Sequence, residues 1–273
     1  MSSKVGFAGD WHGNVNFALR AIDHLVEQGC TRIVQVGDFG FWPGSEGDAY
    51  LNVLNMACER HDIDLYVVRG NHDDYDRWGF YEPDDNGFGV VEALDIESEQ
   101  VCVQGRLHYV PDGLAWFWEG VAFGALGGAA SIDREYRLRK EPLWGKTWWP
   151  EEMILPEHVV DLVNATDGYS LDVLCTHEGP SWTPVEHHAD TDWLPVYDKA
   201  RSAICVKLID LAANLTRPTL HVHGHHHQYG RKEAPNGGEV VALAADVNYS
   251  VEKNTYILHL DSPAEHHPPI PKS

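Results

Sequence analysis

Three short apolar runs at the start of the chain each end in a glycine followed by an acidic or amide residue. Residues 5–8 run into Gly9-Asp10, residues 32–36 into Gly37-Asp38, and residues 65–68 into Gly70-Asn71-His72-Asp73. Between the first two, Ala18, Leu19, Ile22, Leu25 and Val26 fall at helical spacing and stop at Gly29; between the second and third, Tyr50, Leu51, Leu54, Ala57 and Cys58 do the same. Strands separated by helices of this length cannot pair as hairpins. They require a parallel sheet with right-handed crossovers.

The rhythm breaks over residues 74–150, where Pro83, Asp84-Asp85-Asn86-Gly87, Pro111-Asp112-Gly113 and Glu119-Gly120 punctuate short strands at 115–118 and 121–126, so hairpins and loops are expected there. Alternation returns with a helix near 157–164, a strand at 172–175, a helix over 199–215 and a strand at 219–222, followed by strands at 240–244 and 255–260. A sandwich of two sheets flanked by helices accommodates this order. The chain has 273 residues, 43% hydrophobic and 23% charged, which fits one folded domain over residues 1–262, with an insertion at about 74–150, and a Pro-rich tail at 263–273 whose His266 and His267 face solvent.

Lys and Arg number 20 against 42 Asp and Glu, a formal charge of −22. That excludes a basic binder of long nucleic acid. Five cysteines without a CxxC pair do not describe a disulfide framework and fit a reducing compartment. The first residues carry no apolar core of a signal segment, and no apolar stretch approaches the length of about 18 residues that spans a bilayer, so a cytoplasmic location is expected.

The chemistry lies at the strand ends. Asp10 and His12 follow the first strand, Asp38 the second, Asn71 and His72 the third, His177 the strand at 172–175, and His225 to His227 the strand at 219–222. In open α/β sheets the carboxyl ends of the strands share one edge, where loops converge on the ligand. Taken singly, each residue has an ordinary reading: Asp10 or Asp38 as a helix cap or turn residue, Asn71 as a turn residue, His177 as a hydrogen-bonded histidine, the histidine run as a surface accident. Five clusters on five strand ends outweigh five coincidences. On extended chain His225 and His227 point the same way, as chelation prefers, and His226 points away to a structural use.

The motifs GDWH (9–12), GDFG (37–40), GNHD (70–73), THEGP (176–180) and GHHH (224–227) resemble, in order, the five signatures of the calcineurin-like metallophosphoesterase superfamily. The resemblance implies a four-layer α/β/β/α sandwich of two mixed sheets flanked by helices. It implies one divalent ion held by Asp10, His12 and His227, a second held by Asn71, His177 and His225, and Asp38 bridging them. His72 then stands beside the leaving-group oxygen as general acid. Carboxylate, imidazole and amide donors without thiolate suit Mn²⁺, Fe or Zn²⁺; Mn²⁺ is the metal expected, with Fe, Zn²⁺ or Ni²⁺ as alternatives. Two such ions sharing a hydroxide would cleave a phosphomonoester or phosphodiester, in a small phosphorylated substrate with nucleotides among the candidates. A nuclease acting on short single-stranded ends and a non-catalytic scaffold on the same fold are the competing readings.

Protein serine/threonine phosphatases of the superfamily extend the second motif to GDxVDRG, whereas residues 37–44 here read GDFGFWPG, without that second Asp or the Arg. A phosphatase of that subtype is disfavoured, and support for His72 must come from elsewhere, with Asp73 the candidate. The segment GGAASIDREYRLRK (127–140) is similar to insertions in bacterial and phage-borne members. Its Arg134, Arg137 and Arg139 read either as phosphate contacts or as a solvated basic helix face paired with Glu135 and Glu141; Arg137 is the chosen substrate contact. Trp42, Trp78, Trp116, Trp118, Trp144, Trp148 and Trp149 read as core or contact packing, with a base-stacking platform as the alternative.

Overall fold

Strand β1 (Lys4–Ala8), β2 (Arg32–Gln35) and β3 (Asp64–Val68) lie side by side and parallel, connected by α1 (Val15–Glu27) and α2 (Gly44–His61). The structure is a computed structural model that describes residues 3–78, 102–144, 146–187, 194–247 and 249–260. The turn residues expected at Pro83 to Gly87 and the tail expected at 263–273 lie outside the described residues, as do the side chains of Trp78 and Trp144. Asn14 opens α1 by accepting from Phe17 N at 3.2 Å, the usual side-chain cap of a helix start.

The segment read as hairpins and loops supplies strands to both sheets. After the single turn α3 (Tyr75–Trp78) come β4 (Cys102–Gln104), β5 (Leu107–Val110), β6 (Ala115–Trp118) and β7 (Val121–Leu126). β4 and β5 do form an antiparallel pair, but β5 also joins β3 in parallel. Helix α4 (Arg134–Trp144) falls in the segment read as hairpins and loops, where a helix was expected only as the alternative reading of its arginines; its sequence is mostly polar and carries Pro142, so it shows no continuous apolar stripe. A 3₁₀ turn (Pro150–Glu152) leads to α5 (Pro156–Ala165), β8 (Val173–Thr176), α6 (Val196–Thr216) and β9 (Leu220–His223). The edge strand β10 (Gly230–Glu233) is also unanticipated, since an exposed GRKE has no alternation to read. Strand β11 (Glu239–Ala242), the turn α7 (Val251–Asn254) and β12 (Thr255–His259) complete the chain's described part.

One sheet has the order β12-β1-β2-β3-β5-β4 and the other β10-β11-β9-β8-β7-β6. In each, a parallel centre carries an antiparallel strand at both edges. Strand periodicity explains the layering. Val5, Phe7, Val34, Val36, Tyr66 and Val68 face inward and meet Trp116, Phe123, Val173 and Val222 of the other sheet. The alternate residues Ala8, Ile33, Leu65 and Val67 face outward to α1 and α2, while Ala122, Leu126 and Leu174 face α5 and α6. Strands buried on both faces read as continuous apolar runs, and the four layers α/β/β/α follow. No helix among the described residues is long and apolar enough to cross a membrane.

Candidate metal centre

The carboxyl ends of β1, β2, β3, β8 and β9 meet at one edge, and every sequence-derived ligand is found there. The loops approach each other with almost no clearance. A Cβ on Gly70 would stand 1.9 Å from Asp38 N, and one on Gly37, whose φ is +99°, would stand 2.3 Å from His177 Nδ1. Backbone and side chain interlock across these turns: Trp11 N and His12 N both donate to the Asp38 carbonyl, at 3.0 and 2.8 Å.

His12, Asp38, His225 and His227 have φ of 45°, 50°, 66° and 56°, four of the eight non-glycine residues in the left-handed region among those described. Each such residue costs of order 1–3 kcal/mol, and concentrations of them mark functional sites. His225 and His227 therefore do not sit on the extended chain expected from their spacing. They project from consecutive tight turns, and His226 between them is buried against Glu178, Nε2 to Oε1 3.0 Å.

Two groups of ligand atoms share Asp38. In the first, one donor atom from each of Asp10, His12, Asp38 and His227 lies within 4.8 Å of the others, with His227 Nε2 3.3 Å from Asp10 Oδ2 and His12 Nε2 3.4 Å from Asp38 Oδ2. In the second, His177 Nε2 is 3.4 Å from Asp38 Oδ1 and 2.9 Å from Asn71 Oδ1, and the His225 ring stands 5.1 Å from that of His177. Asp38 Oδ2 is buried with no hydrogen-bond partner. A buried carboxylate oxygen left in this state is costly unless a cation completes it. The donors are oxygen and imidazole nitrogen only, which suits borderline and hard divalent ions. The residues fit a dinuclear divalent centre.

The electrostatics are those of a pocket that takes up positive charge. Burial disfavours a charged His177, yet Asp38 and Asp10 raise it to about 9. Burial likewise opposes His12, which the hydrogen bond to Asp246 and the neighbouring carboxylates of Asp38 and Asp10 hold well above its usual value. Asp38 is driven the other way: burial would raise it, but His72, His177 and His12 hold it well below the usual carboxylate range.

His72 stands at the same edge, its backbone N donating to Asp38 Oδ1 at 2.9 Å and its Nε2 4.0 Å from Asp38 Oδ2. Burial, opposed by Asp38 and reinforced by Arg137, pushes it down to about 4. Arg137 alone of the three arginines reaches it: Nη2 is 3.2 Å from His72 Nε2, and Nε donates to Asp133 Oδ2 at 2.8 Å. Arg134 pairs instead with Asp198 at 2.9 Å and Arg139 with Glu135 at 3.8 Å. Asp73 is not the support for His72. Its carboxylate accepts from the backbone N–H of Gly40, Phe41 and Gly70, at 3.0, 3.0 and 2.8 Å, and so clasps the loop after β2. Trp116, Trp118 and Trp149 are buried; Trp42 is partly exposed and packs on Gly13, beside His12.

Three residues that the sequence reading did not assign complete the surroundings. Asp246 Oδ1 meets His12 Nδ1 at 2.9 Å. Glu178 Oε2, buried and without a hydrogen-bond partner, lies 3.7 Å from His225 Nε2. Ser131 Oγ accepts from Asn71 Nδ2 at 2.9 Å. A large open hollow of about 710 Å³ near Arg217, Thr219 and Glu239 lies at the amino-terminal end of β9, away from these groups.

The fold matches solved structures at low identity. A dimetal phosphatase from Danio rerio superposes with a TM-score of 0.54 at 13% identity, covering 94% of this chain and 92% of that one. A protein of Thermus thermophilus gives 0.52 at 13% identity over 95% and 100%. GAP50, the anchor in the inner membrane complex of Plasmodium, gives 0.51 at 12% identity over 94% and 78%. Likeness at such identities shows the shared fold. No curated protein matches the sequence. The family model for calcineurin-like phosphoesterases matches residues 3–252, nearly all of the chain and every strand end described above, so the chain belongs to the calcineurin-like phosphoesterase family and is a metal-dependent phosphate ester hydrolase.

Proposed function

We propose that the chain hydrolyses a small phosphorylated substrate, a monoester or a diester, at two divalent ions. Asp10, His12 and His227 would hold one ion, and Asn71, His177 and His225 the other. The observation that carries this reading is Asp38, whose Oδ1 faces His177 and whose Oδ2 faces His12, each at 3.4 Å. When bound, such a pair polarises the phosphate and brings the pKa of water to about 7. The mixed carboxylate, imidazole and amide set, without thiolate, suits Mn²⁺, Fe or Zn²⁺; Mn²⁺ is the metal proposed, with Fe, Zn²⁺ and Ni²⁺ as alternatives.

His72 is assigned to the leaving oxygen and Arg137 to a phosphate oxygen of the substrate. Their contact supports a division of labour. Without substrate Arg137 Nη2 stands against His72 Nε2; an oxyanion that draws the guanidinium to itself takes a fixed positive charge away from the imidazole and so favours its protonated form. The −22 charge repels a long polyanion and so favours a small substrate over a polynucleotide. The described cysteines, Cys30, Cys58, Cys175 and Cys205, are unpaired and buried, which supports the cytoplasmic location.

The test is hydrolysis of p-nitrophenyl phosphate and bis-p-nitrophenyl phosphate by Mn²⁺-loaded protein, followed by a screen of nucleotides and phosphorylated metabolites. His72→Ala is expected to lower kcat by about 10² to 10⁴ with metal content unchanged. Protein that binds two ions and cleaves neither ester would instead support a scaffold.

A further inference from the structure

Asn71 can serve a cation only through its amide oxygen, and a half-turn about χ2 would present NH₂ instead. Something must choose between the two. Asn71 Oδ1 faces His177 Nε2 at 2.9 Å, while Nδ2 faces Ser131 Oγ at 2.9 Å and His72 Nε2 at 3.2 Å. The side-chain contacts of Ser131 set the direction of this bond. Its hydroxyl has one proton, and Oγ is closely hydrogen-bonded to Glu152 Oε2. The other Glu152 oxygen accepts from Ser131 N at 3.0 Å and from Arg201 Nη2 at 2.6 Å.

Arg201 only donates, and an ionised carboxylate only accepts. Ser131 must then donate to Glu152, which leaves lone pairs, and no proton, facing Asn71. The amide can satisfy them only with its NH₂ group, so its oxygen turns to the metal side. Glu152 is 0% exposed and Arg201 6% exposed. Burial raises the Glu152 carboxyl against the opposing Ser131 hydroxyl and Arg201 guanidinium; the ionised form is read from the geometry, since Oε1 accepts from both the Arg201 guanidinium and the Ser131 N–H. A buried ion pair is a weak source of stability compared with apolar side chains of the same volume, so its presence beside a ligand asks for another use.

We propose that Arg201, Glu152 and Ser131 form an orienting chain that fixes the Asn71 amide as an oxygen ligand of the second ion. Ser131 is the positioning residue. The inference rests on Asn71 being a ligand in a dinuclear centre, and it assigns a task to residues from α6 and the 3₁₀ turn that no motif contains.

The test compares full-length wild type with Ser131→Ala, Ser131→Thr and Glu152→Gln, by equilibrium dialysis against Mn²⁺ with elemental analysis and by electron paramagnetic resonance. Wild type is expected to take up two ions with an exchange-coupled spectrum. Ser131→Ala should keep one tight ion, bind the other about 10- to 100-fold more weakly, and show the spectrum of an isolated ion. Ser131→Thr, which keeps the hydroxyl, should restore the coupled pair. Glu152→Gln should weaken the second ion as well, because Ser131 is then free to donate to Asn71. Two ions bound with wild-type affinity in both Ser131→Ala and Glu152→Gln would overturn the orienting chain, as would equal loss of both ions from a variant that keeps its circular dichroism spectrum. Wild type that binds only one ion would remove the dinuclear reading and the chain with it.

Discussion

Asp246 Oδ1 lies 2.9 Å from His12 Nδ1, although 234 residues separate the two. The other Asp246 oxygen accepts from Asn14 Nδ2 at 2.9 Å, and its backbone N donates to the Asp10 carbonyl at 3.0 Å. The carboxylate thus fixes the His12 ring and leaves Nε2 facing Asp38. Carboxylate partners of this kind raise the basicity of a ligating histidine, and their loss costs about 10- to 100-fold in metal affinity. Asp246→Ala should weaken the first ion by that factor in competition with a chromophoric chelator. Unchanged affinity would show that packing alone holds His12.

Arg69 continues β3 into the Gly70-Asn71-His72 turn, and its guanidinium is spent on structure. Nε is paired with Asp112, Nη1 donates to Glu151 O at 3.0 Å and Nη2 to Met153 O at 3.4 Å. Both charged side chains are buried. Arg69→Met would leave the buried Asp112 carboxylate with only the Gly127 N–H and, at 3.7 Å, His158 Nδ1, so the cost falls toward the lower part of the roughly 3–5 kcal/mol expected for a broken buried pair. Urea denaturation should show that loss in the midpoint, and Arg69→Met with Asp112→Leu should recover much of it. A single variant within about 0.5 kcal/mol of wild type, the range of surface substitutions, would show that water reaches the pair.

The parallel strands β1, β2 and β3 and the five strand-end clusters were legible because both are local: an apolar run, then a ligand-type residue, in all but the His177 cluster after a glycine; β5 and β7, parallel to β3 and β8, fell in the segment read as hairpins and loops. The same rule reaches Asp246, which follows the strand expected at 240–244, but no glycine or histidine beside it drew attention. Ser131 and Glu152 leave no local signature, because their pairing depends on two loops meeting in space. Asp73 shows the opposite error. It is adjacent to His72 in sequence, yet it points to backbone N–H groups at residues 39–41 and 70. The left-handed backbone at His12, Asp38, His225 and His227 was hidden for a related reason, since side chains other than glycine occupy it only where surrounding contacts impose it.

His221 should make stability fall in acid. Thr176 Oγ1 donates to Glu178 O at 2.6 Å, so it must accept from His221 Nε2, 2.8 Å away. That fixes the neutral Nε2–H tautomer and leaves Nδ1 buried without a partner. Burial, helped by His223, holds His221 well below its usual value. The unfolded chain therefore takes up this proton first. The contribution is complete above about pH 6.5 and is lost as pH falls, at up to about 1.4 kcal/mol per pH unit. Chelator-treated protein should show this slope in urea midpoints measured from pH 7 to 5, and His221→Gln should lessen it; an equal slope in the variant would assign the effect elsewhere.

Loading the centre should release protons. His177, raised to about 9 by Asp38 and Asp10 against the effect of burial, is charged at pH 7 in the metal-free chain, and His12 is held well above its usual value. Both imidazoles must lose a proton before they can ligate. Below pH 9 each proton displaced makes binding about tenfold stronger per pH unit, and the gain from His177 ends above that pH. Asp38, held well below the usual carboxylate range, is already ionised and adds nothing to the count. Calorimetry at pH 7 in buffers of different ionisation enthalpy should therefore find about one histidine proton released per ion, with up to about one more per pair from the water they ionise. His177→Gln, which cannot take up the proton, should remove that histidine proton from the count for the second ion while leaving the one for the first. A wild-type count of zero, with affinity flat from pH 6 to 9, would mean that the carboxylates do not hold these histidines protonated and that positive charge is not what the pocket is built to receive.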